Sequence, residues 1–119
     1  MPIIKASDVP LTTGRYPGVS SHVLLNADVG SGAVTLGELI VEPGGHLRPH
    51  THLVEEAFWV YEGSGLAIVG DQEIPVSAGT AILAPTGIPH GFRNNSNAPL
   101  KVAYFYPALN PVGIFPEQK

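Results

Sequence analysis

Apolar residues in this chain come in short runs, and turn residues interrupt them every few positions. Such alternation marks strands, because successive side chains of an extended chain point to opposite faces. Ala33–Val41 is a strong run, and Pro43-Gly44-Gly45 ends it with a turn. Leu100–Tyr106 is another, preceded by the polar, turn-rich stretch Asn94–Pro99. Shorter candidates are Ser21–Leu25, Arg48–His52, Glu56–Tyr61, Leu66–Val69, Glu73–Val76, Thr80–Ala84 and His90–Asn94. Gly70-Asp71, between two of these runs, is a hairpin signal. Lys5–Gly18 is broken by Pro10, Gly14 and Pro17 and reads as an irregular arm. The C-terminal end holds Pro107, Pro111 and Pro116 and reads as coil. No window of helical length keeps apolar residues at i, i+3, i+4 and i+7 free of Gly or Pro. The pattern predicts an all-β antiparallel sandwich or barrel. It forms one domain over residues 1–119, with an arm at about 1–18, a barrel core at about 33–107 and a tail at 108–119.

Composition narrows the function classes. A chain of 119 residues with 44% hydrophobic and 13% charged residues suits one packed core. The net charge is −4 and the six Lys and Arg form no run. Nucleic acid binding needs clustered cations to displace counterions from phosphates, so it is disfavoured. The same scarcity removes the usual hold on an anionic membrane. The absence of cysteine excludes disulfides, thiolate metal sites and a thiol nucleophile. Lys5, Lys101 and Lys119 lie away from the histidine-bearing stretches, which disfavours Schiff-base chemistry. The first residues lack an apolar stretch of signal-peptide length, and no run approaches the roughly 20 apolar residues of a membrane span. The expectation is a soluble, cytoplasmic protein.

Four of the five histidines fall between positions 46 and 90. His50 and His52 are two apart, so a strand projects both imidazoles to one face. Glu55 and Glu56 follow closely, and adjacent residues face opposite sides, so one of the two can join the pair. A hairpin at Leu53-Val54-Glu55 would set Glu56 across from the histidines, and a strand starting at His90 could supply a fourth group. Neutral imidazole and carboxylate bind divalent first-row metals near neutral pH. His22 reads as an ordinary hydrogen-bonded histidine, and His46 as the same or as a rim residue.

These residues also carry a family pattern. Gly44, five residues, His50-Thr-His52, three residues, Glu56, six residues and Gly63 fit the first cupin motif. Gly79, five residues, Pro85-Thr-Gly87, two residues, His90, three residues and Asn94 fit the second. The chain therefore resembles a small single-domain cupin. The resemblance implies a double-sheet antiparallel jelly-roll β-barrel. It implies that His50, His52, Glu56 and His90 bind one divalent transition metal (Fe, Mn, Ni, Co, Cu or Zn), and its spacing selects Glu56 over Glu55. It gives Gly44, Gly63, Gly79 and Gly87 turn roles, makes Asn94 structural, and points to a homodimer.

Cupin is a fold with many functions, so the site must argue the rest. Parity from the ligands puts Phe58, Val60, Ile82, Phe92, Tyr104 and Tyr106 on the inner face as pocket candidates. Ordinary barrel core is the competing role for each. Arg48 shares the parity of His50 and is a candidate to hold an anionic substrate; otherwise it faces solvent near the barrel mouth. Tyr104, Glu62 and His46 are candidates for proton transfer. The ranking expectation is a dioxygenase-like oxidoreductase acting on a small organic molecule, with substrate and dioxygen at adjacent metal positions. The alternatives are a Lewis-acid isomerase, lyase or decarboxylase at the same metal, and a non-catalytic module binding a small molecule or sugar.

Overall fold

A computed structural model describes residues 1–109. Its strands are β1 (Thr12–Tyr16), β2 (Val19–Leu25), β3 (Thr35–Val41), β4 (His46–His50), β5 (Glu56–Glu62), β6 (Ser64–Val69), β7 (Gln72–Ser77), β8 (Thr80–Ala84), β9 (His90–Arg93) and β10 (Leu100–Tyr106). Short 3-10 turns at Ala6–Asp8 and Ala27–Val29 are the helical elements among the described residues. Every strand pairing is antiparallel. One sheet has six strands in the order β1-β2-β3-β10-β5-β8, and the other has four in the order β4-β9-β6-β7. This is the expected cupin-like jelly roll, built as two facing sheets rather than one closed cylinder. No helix among the described residues is long and apolar enough to cross a membrane.

Thr80–Ala84 and Leu100–Tyr106 form strands with the expected bounds, and most others differ by one or two residues. The arm is the main correction. Residues 12–16 form β1, hydrogen-bonded to β2 through Thr13↔Ser20 and Tyr16↔Val19. Pro17-Gly18 makes the two-residue link between them, with Gly18 at φ +67°. The expected coil over 110–119, with Pro111 and Pro116, lies outside the described residues.

Inner and outer faces follow the sequence alternation. On β3, buried and half-buried residues alternate from Thr35 to Val41. The dry core sits toward one end of the sandwich, where Leu100 pairs with Val41, and Val102 with Val60. All four are fully buried. Asn94 closes this end. Its Nδ2 donates to Val41 O and to Ala98 O, both at 2.8 Å, and its Oδ1 accepts from Ser96 N at 2.8 Å. The motif glycines Gly44, Gly63, Gly79 and Gly87 hold φ between +78° and +93°, where a Cβ is strained. Further along β10, Tyr104 and Tyr106 take the inner positions, and the interior opens into a cavity.

Candidate metal centre

Two strands of the small sheet and one of the large sheet supply the cluster. His50 ends β4 and is the register partner of His90, the first residue of β9. His52 follows two residues later, its ring centroid 5.0 Å from that of His50. Glu56 begins β5, which belongs to the other sheet. The expected hairpin at residues 53–55 is therefore a crossing between sheets. The carboxylate meets the histidines across the interior because both inner faces point there. Glu55 is exposed, which leaves Glu56 as the inward carboxylate.

One ligand atom from each of His50, His52, Glu56 and His90 lies within 4.8 Å of the others. These residues are only 3% to 6% exposed. His90 Nε2 is 2.8 Å from Glu56 Oε1, and His52 Nε2 is 3.5 Å from the same oxygen. The far nitrogens of two rings are fixed by the backbone. His50 Nδ1 donates to Arg48 O at 2.9 Å, and His90 Nδ1 donates to Ile88 O at 3.1 Å. A proton held on Nδ1 leaves the Nε2 lone pair facing inward, the tautomer a metal requires. Burial lowers the pKa of His50 to about 4, with His90 and His52 adding to the effect, so its lone pair stays available at neutral pH. The donor set, its tautomers and its burial all fit a divalent transition ion, as in cupins.

Beside the cluster runs a cavity of about 420 Å³. His50, Glu56, Phe58, Tyr104 and Tyr106 line its metal side, and Tyr16, Val19, Ser21 and Val23 line the side formed by β1 and β2. Tyr104 has room because its register partner is Gly37. A Cβ there would collide with the Tyr104 ring. The Tyr104 hydroxyl donates weakly to His22 O at 3.5 Å. The Tyr106 hydroxyl lies 3.0 Å from His52 Nε2. Burial, aided by the charge of Glu56, pushes Tyr104 up to about 12 and raises Tyr106 as well, so both phenols stay protonated.

The other expected site residues divide. Phe58 bridges core and site, its ring 5.7 Å from His90 and 5.1 Å from Phe92. Val60 and Phe92 belong to the packed core, and Ile82 packs against it half-buried; none of these three lines the cavity. Glu62 points outward because the pairing of β5 with β10 shifts register after Val60. It lies 3.4 Å from Lys101 at the surface. His46 is the register partner of Arg93, whose guanidinium pairs with Glu73 on the exposed face of the small sheet. It is no part of the metal surround. Arg48 loses the parity of His50 because a bulge falls between Leu47 and His50, and Leu47 lines the cavity in its place. His22 is a structural histidine, bonded through Nδ1 to Val9 O and through Nε2 to Glu38 Oε1, each at 2.8 Å. Sequence reasoning missed the wall made by Tyr16, Val19, Ser21 and Val23. The Pro17-Gly18 turn between Thr12–Tyr16 and the alternating Val19–Val23 was the signal for it.

Comparison with known proteins gives a consistent picture. An uncharacterised protein of Methanocaldococcus jannaschii is 35% identical over 69 residues, which are 57% of this chain and 55% of that protein. The chain thus spans about half the length of that relative. Protein SchB of Streptomyces halstedii is 26% identical over 110 residues, covering 92% of this chain and 79% of SchB. Among solved structures, the polyketide cyclase RemF of Streptomyces resistomycificus superposes with a TM-score of 0.87 at 27% identity, covering 100% of this chain and 87% of RemF. The cupin domain itself is matched over residues 37–106, which hold all four metal-capable side chains, and the chain belongs to the cupin family.

Proposed function

We propose that this protein is a metal-dependent enzyme that folds and cyclises a chain of alternating carbonyl groups, a poly-β-ketone. The observation that carries the reading is the apolar cavity of about 420 Å³ with the His50, His52, Glu56 and His90 cluster and two phenols gathered at one side. The full-length likeness to a polyketide cyclase supports the substrate class. A divalent ion at the cluster would supply Lewis acidity toward a carbonyl or enolate oxygen. The protein does the rest. Val19, Val23, Leu39 and Phe58 give apolar walls that exclude water and hold a flat carbon skeleton bent. Tyr104 and Tyr106 offer protonated hydroxyls to carbonyl oxygens on the metal side. Closing a ring by aldol addition takes a proton from a methylene between two carbonyls, forms a carbon–carbon bond and returns a proton to the acceptor oxygen. No oxidant enters that balance.

The dioxygenase expectation rests on the same ligand set and differs in one measurable respect. Purified protein loaded with Zn²⁺, or with Fe²⁺ under argon, is incubated with a synthetic tri- or tetraketide. Ring-closed product without oxygen uptake supports the cyclase reading. Turnover that requires dioxygen and stops under argon returns the assignment to a dioxygenase. The expected homodimer has a candidate face in the outer surface of the six-stranded sheet. There Trp59, Leu83 and Phe105 are 50%, 57% and 38% exposed. Sedimentation of a Trp59→Lys, Leu83→Lys double variant as a monomer beside a dimeric parent would support it.

A further inference from the structure

The hydroxyl of Tyr106 stands 3.0 Å from His52 Nε2. His52 belongs to the set that would hold a cation. A lone pair on imidazole nitrogen serves a proton donor or a cation, not both. With His52 in the Nδ1-protonated tautomer that a metal requires, the Tyr106 proton and a metal compete for Nε2. The ring itself is held in place. Its centroid is 4.9 Å from that of His52 in an edge contact, and its register partner Thr35 anchors the following chain by donating to Ala108 O at 2.8 Å. When a cation takes the nitrogen, the hydroxyl keeps its position and loses its acceptor. Tyr106 also lines the cavity, so the acceptor at hand is an oxygen atom of whatever ligand sits against the cluster. The Tyr104 hydroxyl donates instead to the His22 carbonyl.

We propose that Tyr106 is a positioning residue that exchanges partners: its hydroxyl leaves His52 when metal enters and then donates to an oxygen of the bound ligand. The ligand class this selects is a chelating 1,3-dicarbonyl in its enolate form, one oxygen of which accepts from the phenol. The proposal rests on the Lewis-acid reading above, and its test separates the two.

The test compares parent, Tyr106→Phe and Tyr61→Phe proteins by calorimetric titration, first with Zn²⁺ and then, zinc-loaded, with pentane-2,4-dione. Tyr61 is a phenol on the outer face, bonded to Glu38, and serves as the control. The expected result is opposite in sign for the two ligands. Y106F takes up Zn²⁺ about 2- to 10-fold more tightly, because no hydroxyl has to be displaced, and binds the diketone about 2- to 10-fold more weakly, the range of one net hydrogen bond. Y61F matches the parent in both. A change in packing alone would not give gains and losses of this pattern. Diketone affinity of Y106F equal to that of the parent overturns the proposal, as does zinc affinity that falls. Parent protein that takes up zinc but no diketone sinks the Lewis-acid reading, while the zinc comparison still decides whether the hydroxyl competes with metal. Should Y106F fail to fold, Tyr106→Leu enters the same comparison.

Discussion

Acidifying the metal-free protein costs it stability through His50. The imidazole is 6% exposed, and burial lowers its pKa from 6.5 to about 4, with the neighbouring His90 and His52 acting in the same direction. The unfolded chain, with the higher pKa, takes up a proton at His50 before the folded protein does. Stability from this group is therefore complete above about pH 6.5 and is lost as pH falls from there to about 4, the sense required by proton linkage. At 1.36 kcal/mol per pKa unit, the full loss is about 3 kcal/mol. With an m-value of about 1–3 kcal/mol/M, it moves a urea midpoint by about 1–3 M. The assay is urea unfolding with EDTA present at steps between pH 7.5 and pH 4.5, run on the parent and on His50→Asn. Carboxylates elsewhere contribute equally to both proteins, so the difference between the two slopes reports His50 together with its coupling to His52, His90 and Glu56. Parallel midpoint-against-pH curves for parent and variant would refute the reasoning.

Three further outcomes follow from the geometry. His52→Ala removes one of four converging donors and should weaken Zn²⁺ uptake by at least tenfold in a calorimetric titration, while Glu55→Ala, changing an exposed side chain, should leave uptake unaltered; equal losses in the two would reverse the carboxylate assignment. Asn94→Ala strips the buried Val41 carbonyl of its partner and should cost about 1–3 kcal/mol in chemical denaturation, with zinc uptake retained; a loss of zinc uptake by the folded variant would show that the two ends of the sandwich are not independent. Gly37→Ala forces the Tyr104 ring away and should cost about 1–3 kcal/mol together with a changed near-ultraviolet tyrosine signal; an unchanged spectrum and melt would mean that Tyr104 does not occupy the position paired with Gly37.

The sequence carried the ligands more clearly than their surroundings. The spacing of His50, His52, Glu56 and His90 survives in the structure because it reflects a fixed arrangement of strand ends, whichever sheet each strand joins. The assumed hairpin between His52 and Glu56 was wrong, yet Glu56 still meets the histidines across the interior. Parity held wherever pairing was regular, as at Phe58 and at Tyr104 and Tyr106. It failed at Arg48 and Glu62, each next to a register shift. A bulge inserts one residue and reverses the face of everything beyond it, and no composition signal marks it. Val60 and Phe92 face inward as expected but lie toward the closed end, because parity gives the face of a residue and not its depth along the barrel.

That depth divides the molecule into two functions on the same strands. Along β10, Leu100 and Val102 fill the dry end while Tyr104 and Tyr106 face the cavity, so one seven-residue strand both seals the core and furnishes the phenols. The ligands all lie within the matched cupin stretch 37–106, yet Tyr16, Val19, Ser21, Val23, Asn26 and Thr35 of the cavity wall precede it. The metal-capable cluster thus lies within the cupin stretch, while the cavity wall draws both on that stretch and on the strands before it. A change on β2, such as a larger residue at Ser21, can refit the wall without moving a ligand, since β2 contacts the large sheet at its β3 side and the histidines belong to the small one. On the proposed cyclase reading, the choice of one carbon skeleton over another would depend on how β1 and β2 shape the wall, and the cluster would set which oxygen is activated. Ser21→Phe should therefore keep zinc affinity at the parental value in a calorimetric titration while, on the cyclase reading, restricting turnover to shorter ketides; a loss of zinc affinity would refute the independence of wall and cluster.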